Sequence, residues 1–242
     1  MKSIYLKELK QAFASPIGYL SLGLFFILTA LFLWFIEGSY YLPNYRFADL
    51  YPFFSLAPWI LILVLAALTM RSFSDEFKTG TIETLLTKPL TYTQIVLGKF
   101  LSIWTMGLIL LILSLVYVYS IAHLSINGSL DYKNLISAYL GLFLLTGAMI
   151  SIGMFSSALF SNQVNAFLTG LFLIFLFYYG FEGLGNFNLM GGLDLFLKKL
   201  SLDFHYQNFV KGLIKLSGVV YLLSITGFFL MLTAFILKKR IN

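Results

Sequence analysis

The chain has 242 residues, of which 60% are apolar and 11% are charged, and its formal net charge is +6. Soluble globular proteins are about 45–50% apolar and about 25% charged, so this composition excludes an ordinary soluble domain. The sequence contains no cysteine, which excludes disulfides and thiolate metal sites, and its two histidines, His123 and His205, argue against a histidine-built metal centre. The composition predicts an all-α membrane protein.

Six stretches are long and apolar enough to cross a bilayer, which takes roughly 20 residues. We expect spans at 17–36, 52–78, 91–122, 135–160, 164–181 and 216–237. The first is too long for the apolar region of a signal peptide, so we expect it to be retained. The longest connection, 183–215, is shorter than the roughly 50 residues of a free-standing domain, so we expect a single transmembrane domain.

Lysine and arginine predict the orientation of the spans, because cytoplasmic loops carry more of them. They are more frequent in the N-terminal segment, in 71–99 and at the C-terminus than in the other connections. Both termini are therefore expected in the cytoplasm. The positive charges are dispersed, which favours contact with anionic lipid head groups over binding of nucleic acid.

Residues 1–15 read as an amphipathic helix in the membrane interface. Ile4, Leu9 and Phe13 form an apolar stripe, and lysines lie on the remaining surface. Pro16 disfavours a helical residue before it, so this helix should end at Ser15 and the first span should begin as a separate helix.

The segment 71–99 is the most informative part of the sequence. Ile82, Leu85 and Leu86 share one face of a short helix predicted at 81–87, which Pro89 ends. Thr91 and Gln94 then have the spacing of a capping box, which predicts the start of the third span.

This segment carries a resemblance to a known family. The run G-T-I-E-T-L-L-T-K-P-L at 80–90, followed by I-V-L-G-K-F at 95–100, closely resembles the signature of ABC-2 type transporter permeases. Within that family, the run at 200–212 resembles the gliding-motility-associated permease, with the nitrous-oxide-reductase-associated permease as a near relative. Leu202 stands where that subgroup has proline. The resemblance implies a type V exporter-like fold with six spans, an interfacial N-terminal helix and a cytoplasmic coupling helix in 80–90.

The resemblance also implies a partner, a cytoplasmic ABC ATPase that binds ATP and Mg²⁺ and holds the coupling helix in a groove. Asp75 and Glu76 would pair with basic residues of that ATPase. The full set of expected coupling residues is Asp75, Glu76, Gly80, Thr81, Ile82, Glu83, Leu85, Leu86 and Pro89. The chain itself lacks a P-loop, because Thr93 stands where the first glycine should be and Phe100 follows Gly98-Lys99. We therefore expect no ATPase or other catalytic site in this chain.

Small residues in the fourth span recur at helix-packing spacing rather than in a catalytic pattern. They are Gly147, Ser151, Gly153, Ser157 and Ser161. Two short helices are expected between the last two spans. His205 in this outer segment, with Phe209 and Gly212, is expected to pack or cap rather than to bind metal.

The sequence thus predicts the membrane subunit of an ABC exporter in the bacterial inner membrane, associated with gliding motility or protein secretion. It would pair with a second copy or with a related membrane subunit that has an outer domain. Two alternatives stay open: an ion-driven secondary transporter, and a membrane anchor that transmits force without moving a substrate.

Overall fold

The computed structural model describes residues 1–44, 49–81, 91–124, 131–187 and 191–241, and this part of the chain is helical without strands. Its α-helices are α1 (Lys2–Ala14), α2 (Pro16–Ala30), α3 (Tyr51–Thr69), α4 (Arg71–Thr79), α5 (Tyr92–Leu113), α6 (Leu115–Leu124), α7 (Tyr132–Leu159), α8 (Gln163–Phe175), α9 (Phe181–Asn186), α10 (Gly192–Leu200), α11 (Leu202–Val210) and α12 (Leu216–Ile241). Two π-helical turns, Leu31–Phe35 and Leu176–Gly180, extend α2 and α8.

Six helical stretches in the described residues are long and apolar enough to cross a membrane, which confirms the six-span, all-α prediction. They are Pro16–Phe35, Tyr51–Thr79, Tyr92–His123, Tyr132–Leu159, Gln163–Asn186 and Leu216–Arg240. The fifth extends beyond its predicted end at 181, because the π-helical turn and α9 continue it without a break.

The spans alternate in direction, so the bundle has two ends. At one end, Lys99 contacts Glu8 and Glu76, and Arg240 contacts Ala158; we call this the Lys99 end. The other is the His205 end, where α10 and α11 lie between the fifth and sixth spans.

The second and fourth spans form the centre of the bundle. About 67% of the apolar window of each is buried inside the chain, against 22–28% for the first, fifth and sixth spans. Gly153 of α7 lies against Thr69 of α3 so closely that a Cβ at this position would collide with the threonine hydroxyl. A small residue here brings the two central helices into direct contact, which lets them pack tightly.

The first helix ends where the sequence predicts. Ser15 is extended, Pro16 occupies the first turn of α2, and Ser15 Oγ accepts a hydrogen bond from the Ile17 amide at 3.3 Å. α1 then packs along α5: Ile4 is buried over Gly98, where an added Cβ would lie 3.1 Å from Ile4 Cγ2. The Tyr5 hydroxyl lies 3.1 Å from Thr105 Oγ1. α1 and α5 are thus held together by apolar and polar contacts.

At the His205 end, α11 is anchored to the centre of the bundle. Ser201 caps it, with Oγ accepting from the Asp203 amide at 3.1 Å. Tyr206 is fully buried, and its hydroxyl donates to the Phe54 carbonyl at 2.9 Å. Burial raises the pKa of Tyr206 well above its usual value, so the hydroxyl keeps the proton that it donates. The described helices of this end therefore form part of the packed bundle.

Candidate functional site: the Lys99 ion-pair cluster and the stem of segment 80–90

Lys99 is a buried cation held by carboxylates from two other helices. Its side chain is 2% exposed, and Nζ lies 2.7 Å from Glu76 Oε1 in α4 and 2.9 Å from Glu8 Oε1 in α1. The ammonium also lies 5.3 Å from the ring centre of Phe73. A buried charge is tolerated when it is paired and hydrogen-bonded, and here the pairing connects α1, α4 and α5. We call Lys99, Glu8 and Glu76 the Lys99 cluster.

The helix is interrupted at Met70, between α3 and α4, and Ser157 of α7 stabilises this junction. Ser157 Oγ accepts from the amides of Phe73 at 3.0 Å and Ser74 at 3.2 Å, and it donates to the Met70 carbonyl at 2.8 Å. The first amides of a helix have no partner within the helix, so a hydroxyl from a neighbouring helix satisfies them here. This cross-helix cap fixes α4 to the fourth span.

The last span contacts α4 through Phe77. The Arg240 guanidinium lies 4.1 Å from the ring centre of Phe77, and it donates to the Ala158 carbonyl at 2.9 Å and to Ser161 Oγ at 3.1 Å. Contacts from α5, α7 and α12 thus restrain α4.

The segment 80–90 begins where this restrained helix ends. Gly80 has φ of +71°, a left-handed conformation that glycine adopts without a steric penalty, and it ends α4. On the far side of the segment, Thr91 and Gln94 form the predicted capping box, which is confirmed, and α5 begins at Tyr92. The segment therefore connects two helices that are ion-paired to each other through Glu76 and Lys99.

Comparison with known protein families decides what kind of bundle this is. The chain matches the family model described as ABC-2 family transporter protein over residues 3–239, nearly its whole length. The chain belongs to the ABC-2 family of transporter proteins. It is thus a multi-pass transporter permease subunit, and membership of this family implies partnership with an ABC ATPase subunit. A comparison with individual curated proteins gives no match.

In this ABC-2 transporter protein, the expected coupling residues fall into two groups. Ile82, Glu83, Leu85, Leu86 and Pro89 lie outside the described residues. Asp75, Gly80 and Thr81 lie at the Lys99 end, where Thr81 Oγ1 is 2.9 Å from Thr79 Oγ1. Asp75 accepts a hydrogen bond from Gln163 and lies 3.9 Å from Arg71 Nε.

Glu76 lies elsewhere than the sequence analysis expected. The resemblance implies that Glu76 pairs with basic residues of an ATPase, but it is 9% exposed and paired with Lys99. Glu76 lies one helical turn after Ser72, on the same buried face of α4. Lys99 supplies the countercharge that allows a carboxylate to be buried there. Asp75 is partly exposed, and its pairing with an ATPase stays a prediction.

Four of the five small residues singled out at the fourth span contact other helices. Gly147 lies against Trp104 of α5, where an added Cβ would be 3.3 Å from the indole nitrogen. Gly153 faces Thr69, and Ser157 caps α4. Ser151 Oγ donates to the Ala148 carbonyl within α7 at 2.7 Å, and Ser161 accepts from Arg240.

The three residues singled out in the outer segment contact neighbouring helices. His205 stacks on Tyr221 with ring centres 4.1 Å apart, and its Nε2 lies 3.0 Å from the Lys199 carbonyl oxygen. Phe209 is buried against Gly141 of α7, and Gly212 has φ of +77° where the chain leaves α11. Over the described residues, no group of three or more His, Asp or Glu side chains could hold a metal ion.

Sequence reasoning missed the Lys99 cluster. The sequence places Lys99 within the predicted third span and Glu8 within the predicted interfacial helix, and predicts no contact between them. The available signal was the position of Lys99 inside the apolar part of a predicted span, because ionisable residues in such segments normally have a named partner. The carboxylates in the segments predicted at this end, Glu8, Asp75, Glu76 and Glu83, were the candidates.

Proposed function

We propose that residues 80–90 dock a separate ATPase, and that this permease subunit converts movement of the ATPase into movement of its spans. Membership of the ABC-2 family supports an ATPase partner. The observation that carries the proposal is the connection of this segment to the bundle: it lies between Thr79 of α4 and Tyr92 of α5, and the two helices are joined by the Lys99–Glu76 ion pair.

Force on the segment would pass into the bundle along three connections. Lys99 and Glu76 make α4 and α5 move together, and Glu8 extends the same unit to α1. Ser157 connects α4 to the fourth span, one of the two central spans. A tilt of α4 would therefore change the packing at the centre of the bundle rather than bend a peripheral helix.

The sequence of the segment suits a docking role. Ile82, Leu85 and Leu86 are spaced to share one face of a helix, which would fill an apolar groove of the ATPase, and Glu83 would lie at its polar rim. Asp75, partly exposed near the end of the second span, would pair with a basic residue of the ATPase. ATP and Mg²⁺ would be bound by the partner.

We further propose that the Lys99 end lies in the cytoplasm and that the protein resides in the bacterial inner membrane. The concentration of lysine and arginine in 1–10, 71–99 and 238–240 supports this orientation. A second copy, or a related subunit with an outer domain, would complete an export path. The run at 200–212 suggests a role in gliding motility or protein secretion.

The docking proposal is tested with Leu85→Asp and Leu86→Asp variants of the tagged chain, expressed in its native host. Each places a charge on the expected docking face, so we predict loss of the co-purified ATP-binding subunit and of stimulated ATP hydrolysis. The matched control is Leu213→Asp, at a leucine that is 52% exposed beyond α11 at the His205 end. If both coupling variants retain the ATPase as well as the control does, the assignment is wrong.

A further inference from the structure

A polar cavity opens beside the Lys99 cluster. It has a volume of about 140 Å³ and lies between the bend that joins α1 to α2 and the start of α4. Gln11 and Arg71 are exposed at its mouth. Ser72, Glu76 and Lys99 are buried and form its floor. Polar side chains thus line the floor and the mouth of the cavity, which is open to the surroundings at the start of the first span.

Two buried acceptors on the floor have no hydrogen-bond partner among the described residues. They are Glu76 Oε2 and Ser72 Oγ, on side chains of residues that are 9% and 7% exposed. Buried polar atoms are nearly always hydrogen-bonded, so each such atom in a native structure requires an explanation. Ser102, which lines the same cavity, differs because its hydroxyl already donates to the Lys99 carbonyl at 2.7 Å.

The charges around the cavity favour a ligand whose inner end is positive. The Lys99 cluster contains one ammonium and two carboxylates, so its formal charge is −1. At the mouth, the contacts of Arg71 with Gln163 and Asp75 both use Nε, at 3.3 Å and 3.9 Å. Its terminal guanidinium nitrogens can therefore serve an anion, since a guanidinium has five donors.

We propose that this cavity binds the head group of an aminoethyl phospholipid, with its primary ammonium at the floor and its phosphate at Arg71. The ammonium would donate to Glu76 Oε2 and Ser72 Oγ and would neutralise the net charge of the Lys99 cluster. A lipid is favoured over a soluble molecule because the cavity lies where an amphipathic helix joins a membrane span, the depth of the lipid head groups. A trimethylammonium group has no N–H, so choline lipids cannot satisfy the two acceptors.

The test is lipid binding to the purified full chain, measured by native mass spectrometry without an ATPase. Phosphatidylethanolamine is titrated against phosphatidylcholine and phosphatidylglycerol of the same acyl chains. We expect tighter binding of phosphatidylethanolamine than of either competitor, by about tenfold, the factor that one good hydrogen bond commonly contributes. Equal binding of the three lipids would overturn the proposal and leave water as the content of the cavity.

Two serine variants separate this site from general lipid binding. Ser72→Ala removes an unpaired acceptor and should reduce the preference for phosphatidylethanolamine severalfold, whereas Ser102→Ala should retain it. An unchanged preference in Ser72→Ala would contradict the proposal. Binding of soluble phosphoethanolamine is measured in the same assay. If it binds as tightly as the lipid, a free phosphoamine is the ligand and the lipid assignment is wrong. Because no ATPase is present, failure here leaves the docking proposal intact.

Discussion

Lys99 and Glu76 form an ion pair with 2.7 Å between Nζ and Oε1, inside a chain in which the lysine is 2% exposed. Glu76 lies in the last turn of α4 and Lys99 lies two turns into α5, the two helices that flank the segment 80–90. A pair buried to this degree is strongly coupled, because neither charge can turn to water when the other is removed. The pair therefore makes the end of the second span and the start of the third span one mechanical unit.

Removing one member of the pair should destabilise the protein more than removing both. Lys99→Met leaves Glu76 buried beside Glu8 without a cation, which should cost about 3–5 kcal/mol of unfolding free energy. In the double variant Lys99→Met/Glu76→Met, most of this loss should be recovered, because apolar side chains of similar size replace both charges and the partly exposed Glu8 can face water. Reversible unfolding in mixed micelles measures the unfolding free energy of both variants.

The control for this comparison is Lys133→Met, at an exposed lysine near the His205 end, which should leave stability unchanged. A double variant no more stable than Lys99→Met would show that the loss arises from packing rather than from an unpaired buried charge.

Ser157→Ala should destabilise the junction between α3 and α4. It removes the acceptor of the buried Phe73 and Ser74 amides, whereas the Met70 carbonyl keeps a hydrogen bond from Ser74 Oγ. Leaving buried backbone groups unpaired should cost about 1–3 kcal/mol. Ser161→Ala, four residues on at an exposed position, should cost less than about 0.5 kcal/mol. Equal losses in the two variants, measured by the same unfolding assay, would disprove the capping role.

Gly153→Ala should separate the two central spans. The added methyl group would collide with Thr69, and overpacking of this kind costs about 1–3 kcal/mol. Thr69→Ala in the same chain should restore part of the loss, since it removes the hydroxyl and the methyl nearest to the new Cβ. Gly23→Ala is the control, because a Cβ there meets no other side chain within 4 Å in the described residues. A tolerated Gly153→Ala would contradict the close approach of α3 and α7.

Stability at the His205 end should decrease in acid. Burial lowers the pKa of His205 below its ordinary value of 6.5, so the folded chain holds the imidazole neutral where the unfolded chain already binds a proton. Its contribution to the unfolding free energy is fully present above pH 6.5 and is lost as the pH falls through the lowered pKa of the folded state.

We expect His205→Gln to flatten the loss of unfolding free energy between about pH 7.5 and pH 5. His123→Gln, at an exposed histidine, should follow the parent chain. If the unfolding free energies of the parent chain and of His205→Gln change with pH in the same way, His205 is excluded as the source of the acid dependence.

Local signals in the sequence were sufficient for much of the fold. Six apolar stretches predicted the six spans, Pro16 predicted the break between α1 and α2, and Thr91 with Gln94 predicted the start of α5. Each of these signals acts within a few residues of the chain. The spacing of small residues in the fourth span likewise indicated close approach, but it could not name Thr69 as the neighbour of Gly153.

The interior of the Lys99 end could not be predicted in the same way. The partners of Lys99 lie 91 and 23 residues away in sequence, and Ser157 caps a helix 83 residues away. Such contacts depend on how the helices pack, and a residue's own neighbours in sequence do not reveal it. Glu76 illustrates the consequence: its sequence context suggested a surface acid, and only the position of Lys99 explains why it is buried.

The most direct test of the account is photo-crosslinking from the segment that we propose to dock the ATPase. A photoreactive phenylalanine is placed at position 86 in one strain and at position 213 in another, and intact membranes are irradiated. We predict that position 86 captures an ATP-binding subunit, identified by mass spectrometry, and that position 213 does not. Capture of that subunit from position 213 but not from position 86, or equally from both, would contradict the assignment of residues 80–90 as the docking element.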